Sequence, residues 1–256
     1  MLEFFDSHAH YMDERFEEDR DELLKNLNKT GNVKYIMNAS YDIKSSYEAV
    51  SLAKNYDFCY AAVGVHPHDS KDIVSEDYDK LKALSQNEKV MAIGETGLDY
   101  HYDNSERNVQ REHFSNHLLL AKEVKLPVII HEREATKDTL DIVCANDNTG
   151  VFHCFSGSVE TARTVLNKGY YISFAGPVTF KNAVTAKEVA KYVPEDRFLI
   201  ETDCPYLAPV PKRGERNTSF NLIHIAQEIA MLRGESVEKI VKLSVNNAKT
   251  LFDIKG

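Results

Sequence analysis

Six residues able to bind a metal ion stand just after short apolar runs: His8, His10, Glu95, His131, His153 and Asp203. Asp6, Asn38, His66 and His68 occupy comparable positions. Imidazole and carboxylate are the common ligands of Zn, Mn and Fe, and carboxylate also suits Mg. His8-Ala9-His10 is an informative spacing. Along a strand, residues i and i+2 face the same side, so both imidazoles are predicted to reach one ion, at ~2.0–2.1 Å if it is zinc. Alone, the pair reads more readily as two polar residues in a loop after an edge strand; its company favours the ligand reading. Glu95 lies in Gly94-Glu95-Thr96-Gly97, and a carboxylate can bridge two ions with one oxygen to each. A capping or surface glutamate is the plainer alternative, but the two glycines point to close backbone packing. Asp203, in Glu201-Thr202-Asp203-Cys204-Pro205, can both ligate and hold a proton, even while forming an Asx-turn before Pro205. No GxSxG element supplies a covalent nucleophile.

For these residues to meet, the segments that carry them must end in one place. Apolar runs at 2–5, 35–37, 60–65, 90–93, 127–130, 151–152, 170–172 and 198–200 are strand-sized and nearly continuous rather than alternating. Such runs suit a parallel sheet covered on both faces. Helical patterns separate them at 17–28, 46–54, 76–84, 108–124, 136–145, 159–167 and 183–192, and another follows at 222–232. A last pattern starts at Ser236, with Val237, Ile240, Val241, Ala248 and Leu251 at helical spacing. Eight strand–helix units plus an extra C-terminal helix predict an α/β fold, the (β/α)8 TIM barrel, whose strand ends all face one mouth. An open doubly wound sheet is the alternative, but no glycine-rich phosphate fingerprint supports it. No linker interrupts the 256 residues, so one domain over 1–256 is expected.

The chain has 31 Lys+Arg against 40 Asp+Glu, a formal net charge of −9. This argues against coating nucleic acid by bulk charge, but leaves room for a local phosphate site built on cations. Arg133, Lys181, Lys212, Arg213 and Arg216 are candidates for a basic rim, with solvated surface charge as the alternative. Tyr100, Tyr102, Phe180 and Tyr206 are candidates for stacking on unpaired bases, with core packing as the alternative. Cys59, Cys144, Cys154 and Cys204 show no CxxC spacing and read as reduced thiols, Cys154 and Cys204 as small packing residues. The acidic run 13–22 reads as a solvated helix start. No apolar run approaches the ~18 residues of a membrane span. MLEFFDSHAH lacks the features of a targeting signal, so a cytoplasmic location is expected.

The segments DSHAH, GVHPHD, AIGETGLDY, PVIIHEREA, FHCFSG, YISFAGPVTFKNA and ETDCPYLAP, in that order, resemble the TatD family of metal-dependent hydrolases within the amidohydrolase superfamily. The resemblance runs from Asp6 to about Arg216 and continues more weakly through 244–252. It implies a distorted TIM barrel, a divalent-metal centre and phosphodiesterase activity: a 3′→5′ exodeoxyribonuclease acting on single-stranded or frayed DNA. The partners are then DNA 3′ ends, or RNA, and the chain is read as a monomer. The resemblance implies two ions per chain, of Zn, Mg or Mn. His8, His10 and Asp203 would hold one and His131 and His153 the other, with Glu95 bridging. His66 stands where a mouth histidine approaches the scissile phosphate. His66, Glu95 and Asp203 are then the catalytic set, and His66, Arg133, Lys181, Arg213 and Arg216 contact substrate.

Two positions depart from the family pattern. Thr218-Ser219 stands where many relatives have Glu-Pro, at the expected substrate rim, and Glu132 replaces a common small serine, adding charge near the mouth. Two other readings stay open: a metal-dependent hydrolase of a small-molecule ester, lactone or amide, and an inactive barrel used as a binding module. An inactive barrel would usually have lost a ligand, whereas this set is complete.

Overall fold

The computed structural model describes residues 2–255; Met1 and Gly256, the ends of the domain expected over 1–256, lie outside the described residues. Among the described residues, eight strands form one parallel sheet in chain order: β1 (Phe4–Ala9), β2 (Val33–Ala39), β3 (Cys59–Val63), β4 (Val90–Asp99), β5 (Val128–Arg133), β6 (Gly150–Phe152), β7 (Tyr171–Phe174) and β8 (Phe198–Ile200). Each is followed by a helix: α1 (Arg20–Lys29), α2 (Ile43–Asn55), α3 (Ser75–Leu84), α4 (Arg107–Val124), α5 (Thr136–Cys144), α6 (Val159–Asn167), α7 (Val184–Tyr192) and α8 (Leu222–Arg233). The extra helix, α9, spans Val237–Leu251. The segment after β8 returns to β1 through one isolated bridge, Ala9 to Cys204. Asp203 N–H donates to His8 O at 2.9 Å, and His10 N–H to Cys204 O at 2.8 Å. The fold is the (β/α)8 barrel, distorted where β8 meets β1. No helix among the described residues is long and apolar enough to cross a membrane.

Each strand gives one buried side chain to an interior layer: Phe5, Met37, Ala62, Ala92, Ile129, Val151, Tyr171 and Leu199. Ala248, Phe252 and Ile254, from α9 and the turn after it, close this layer from below. Burying a phenylalanine such as Phe252 stabilises by ~1.5–3 kcal/mol. Phe4, Ile36, Ala61, Ile93, Ile130, Phe152, Ile172 and Ile200, neighbours of the interior residues, pack in the core beneath the helices. With both faces covered, the strands read as continuous apolar runs.

Alternation then places most of the mouth. Counting by twos from the interior layer brings His66, His131, His153, Glu201 and Asp203 inward. His8 and Glu95 fall three residues after Phe5 and Ala92, on the wrong side for a regular strand. The pairing register shifts between Asp6 and Ala9 in β1 and between Ile93 and Thr96 in β4. Such irregularities re-aim side chains. Two glycines permit the one in β4. Gly94 and Gly97 have φ of +151° and +143°, and a Cβ on Gly97 would lie 2.0 Å from His131 O.

The strands outrun their apolar segments at the mouth. β1 continues through Ala9 and β4 through Asp99, so Asp6, His8 and Glu95 lie inside strands rather than after them. Helix α1 starts at Arg20, later than the expected 17; a short 3-10 helix at Glu14–Phe16 precedes it.

On α4, His117 is fully buried. Its Nδ1–H donates to His113 O at 2.7 Å, and its Nε2 accepts Val65 N–H at 3.1 Å. Burial pulls its pKa down to about 4. The unfolded chain takes up this proton near pH 6.5 and the folded chain only near 4, so the stabilisation is complete above 6.5 and is lost as pH falls between those values. From pH 7 to pH 5, His117 should remove roughly 2 kcal/mol of stability. His117→Gln keeps a donor and an acceptor but does not titrate. Urea unfolding at the two pH values should show that much less pH dependence in this variant.

Candidate metal centre

Glu95 is buried at the centre of the mouth, and its two oxygens face different groups of donors. Oε2 lies 3.2 Å from His8 Nε2 and 3.8 Å from His10 Nε2. The two nitrogens are 3.1 Å apart, and Asp203 Oδ1 lies 3.7 and 3.1 Å from them. Oε1 lies 2.7 Å from His153 Nε2 and 2.9 Å from His131 Nδ1, which are 3.2 Å from each other. Donors each ~2.0–2.2 Å from one ion, at right to tetrahedral angles, lie about 3.0–3.5 Å apart. The spacing and the chemistry of this set therefore fit divalent cations.

The outer ring nitrogens are also oriented. His10 Nδ1–H donates to Ala39 O at 2.7 Å, His153 Nδ1–H to Glu201 Oε1 at 3.2 Å, and His131 Nε2–H to Asp99 Oδ2 at 3.1 Å. Each bond fixes the tautomer that turns a lone pair inward, as metal-binding histidines require. His8 Nδ1 has no hydrogen-bond partner among the described residues.

His66 is different. Its Nδ1 accepts His68 N–H at 3.1 Å, so the ring proton of the neutral form sits on Nε2, 3.6 Å from Glu95 Oε1. Burial and the neighbouring His131 push its pKa well below the usual histidine value. His66 thus presents an N–H to the centre rather than a lone pair. Burial favours the neutral acid for Glu95, but His153, His8 and His66 hold it well below the usual carboxylate range. Burial opposes ionisation of Asp203 too, and His10 outweighs it.

Other expected residues are placed less uniformly. Arg133 lies over the Tyr102 ring at 4.8 Å and Arg213 over Phe180 at 3.8 Å, with exposed Lys181 next in sequence to Phe180. Arg216, expected to meet phosphate, is instead paired with Asp19 at 2.5 and 2.9 Å and donates to Arg15 O. Lys212 pairs with Glu215. Asn38 turns away from the donors and accepts Tyr11 N–H. Glu132 is turned to the start of α5. Its Oε1 accepts Ala135 N–H at 2.9 Å and the Thr136 hydroxyl at 3.0 Å, capping α5. Ser219 is buried rather than on the rim. Its hydroxyl donates to Asp6 Oδ2 at 2.6 Å, beside the Thr202 hydroxyl at 2.6 Å, and so clamps β1 to the segment after β8. Burial lifts the Asp6 pKa to about 7.

Sequence reasoning missed two carboxylates, Asp99 and Glu201. Both were open to the i, i+2 rule applied to His8 and His10: Glu201 is two residues before Asp203, and Asp99 is four after Glu95 in the same strand.

A parallel barrel with histidines and carboxylates converging at its strand ends is the architecture of a metal-dependent hydrolase. Residues 5–253 match the family described as TatD related DNase, and the chain belongs to that family. It is 46% identical to YabD of Bacillus subtilis, described as an uncharacterized metal-dependent hydrolase, over 98% of this chain and 99% of that one. Identity to the 3′-5′ ssDNA/RNA exonuclease TatD of Salmonella typhimurium is 33%, covering 98% and 99%. The crystal structure of YJJV, a TatD homolog from Escherichia coli K12, matches with a TM-score of 0.92 at 28% identity, covering 98% of each chain.

Asp99 Oδ2 accepts from both His131 and His68, while Oδ1 accepts the N–H groups of His101 and Tyr102. Asp99→Asn leaves the second pair in place and weakens the first. Metal affinity, measured by competition with a chromogenic chelator, should fall about 10–100-fold. The circular-dichroism spectrum should not change.

Proposed function

We propose that this chain removes nucleotides from the 3′ end of single-stranded or frayed DNA, using two divalent ions. The division of Glu95 between two donor groups carries this reading. His8, His10 and Asp203 would hold one ion and His131 and His153 the other, with Glu95, whose two oxygens face the two groups, shared between them. The four imidazoles favour Zn or Mn over Mg. Divalent ions held by these residues would supply Lewis acidity, towards a phosphate oxygen and towards water, whose pKa falls from ~15.7 towards ~7 on such ions. The Asp203 carboxylate accepts the proton of the attacking water. His66 Nε2–H holds a phosphate oxygen, and Arg133, Lys181 and Arg213 meet neighbouring phosphates. The Salmonella typhimurium relative named as a ssDNA/RNA exonuclease supports a nucleic-acid substrate. A net charge of −9 gives little grip on a duplex, which favours a single strand.

The test uses end-labelled single-stranded DNA, a long blunt duplex, RNA, and small ester and lactone substrates, each with and without EDTA. EDTA-sensitive shortening of the single strand from its 3′ end is expected. Equal rates on the blunt duplex would overturn the single-strand preference, and turnover of only the ester or lactone would replace the nuclease reading.

Two substitutions separate the roles within the centre. Asp203→Asn keeps the shape but cannot take a proton, so kcat should fall by about 10²–10⁴ with KM little changed and a modest loss of metal. His131→Ala should lose metal first, and excess metal should restore part of its activity by mass action. A metal titration that returns Asp203→Asn to near the unmodified rate would reduce Asp203 to a ligand.

A further inference from the structure

Two exposed tyrosines stand on opposite sides of the donor set. Tyr102 follows β4 and Tyr206 follows β8, four strands apart in a ring of eight. Tyr206 lies edge-on to His10, with centroids 6.0 Å apart, and Tyr102 edge-on to His68 at 5.3 Å. Each ring has a guanidinium over it: Arg15 at 4.6 Å from the Tyr206 centroid and Arg133 at 4.8 Å from that of Tyr102. Even so, Tyr206 is 40% and Tyr102 55% exposed. Open aromatic rings backed by arginine are surfaces on which unpaired bases stack. Tyr206 also donates its hydroxyl to Asp13 at 2.8 Å. What sets it and Tyr102 apart from the other two candidate rings is exposure, since Tyr100 and Phe180 are half-buried. Tyr100 bonds Asp138 at 2.8 Å with Arg107 over it, and Arg213 covers Phe180.

The two sides differ in charge. A cavity of about 660 Å3 adjoins Tyr206; five acids, Asp13, Glu14, Glu17, Asp21 and Glu48, line it against two cations, Arg20 and Lys44, the latter paired with Glu48. Arg20 in the same cavity directs its guanidinium to the carbonyls of Tyr11, Met12 and Asp13. A continuing phosphate chain is repelled there. On the Tyr102 side, Arg133 stands two residues after His131 on the same strand and so on the same face of it.

Resting on the nuclease reading above, we infer that Tyr206 and Tyr102 stack on the bases flanking the scissile phosphate. Tyr206 takes the terminal nucleoside and Tyr102 its neighbour. The acidic wall beyond Tyr206 then restricts cleavage to a chain end.

The test combines Tyr206→Leu and Tyr102→Leu with short DNA strands that carry an abasic residue at the terminal or the penultimate position. On the intact strand, each variant should raise KM about 10-fold, with kcat within about two-fold. Phe at either position keeps the ring and should recover most of that loss. The terminal abasic residue should abolish the penalty of Tyr206→Leu alone, and the penultimate one that of Tyr102→Leu alone. Penalties independent of the abasic residue, or the crossed pattern, would overturn the inference. Circular single-stranded DNA should remain intact with the unmodified protein and become nicked by a Glu14→Lys, Glu17→Lys variant. Nicking by the unmodified protein overturns the wall. Absence of any nucleic-acid cleavage overturns the nuclease reading and this inference together, whereas cleavage without the coupling overturns the inference alone.

Discussion

A buried carboxylate that must face two groups of imidazoles governs the architecture of this protein. A charge taken out of water costs several kcal/mol unless it is paired on every side. Glu95 meets that demand by giving one oxygen to the β1 and β8 side and the other to the β5 and β6 side. No regular strand could put it there, since alternation from Ala92 points it outward. The register shift in β4 and the positive φ of Gly94 and Gly97 follow from this need. The matching shift in β1, which brings in His8, answers the same carboxylate.

The seam between β8 and β1 has a similar logic. One bridge joins them, where the other neighbouring strands pair along longer stretches. His8, His10 and Asp203 all stand at this seam, so the donors sit where the backbone is least constrained by ladder hydrogen bonds. Asp6 compensates from below, taking hydrogen bonds from Thr202 and Ser219 within the protein interior. The side chains that hold the seam are thus separate from those that face the mouth.

Most of the barrel was legible because a sheet buried on both faces writes its strands as apolar runs, and helix-period patterns separate them. The donors were legible because His and Glu directly after such runs have few structural uses. What stayed hidden depended on partners distant in sequence. Hydropathy ended β4 at Ile93, so Asp99 read as loop although it lies in the strand that carries Glu95. Arg216 looked available for phosphate because Asp19, nearly two hundred positions earlier, cannot be paired with it by spacing. Glu132 looked like charge beside a ligand because its bond to the start of α5 depends on the turn between them.

Helix α9 adds a consequence of order. The interior layer draws one side chain from each strand, but Ala248, Phe252 and Ile254 supply its base. These residues leave the ribosome after all eight strands. Chain emergence is slow, at ~5–20 residues per second, compared with local collapse. Until these residues arrive, the interior layer lacks its base, and Phe5 lacks the Phe252 ring that packs 6.0 Å from it. The last helix is thus the stopper of the barrel, and a chain cut short before Ala248 would leave that layer open to water.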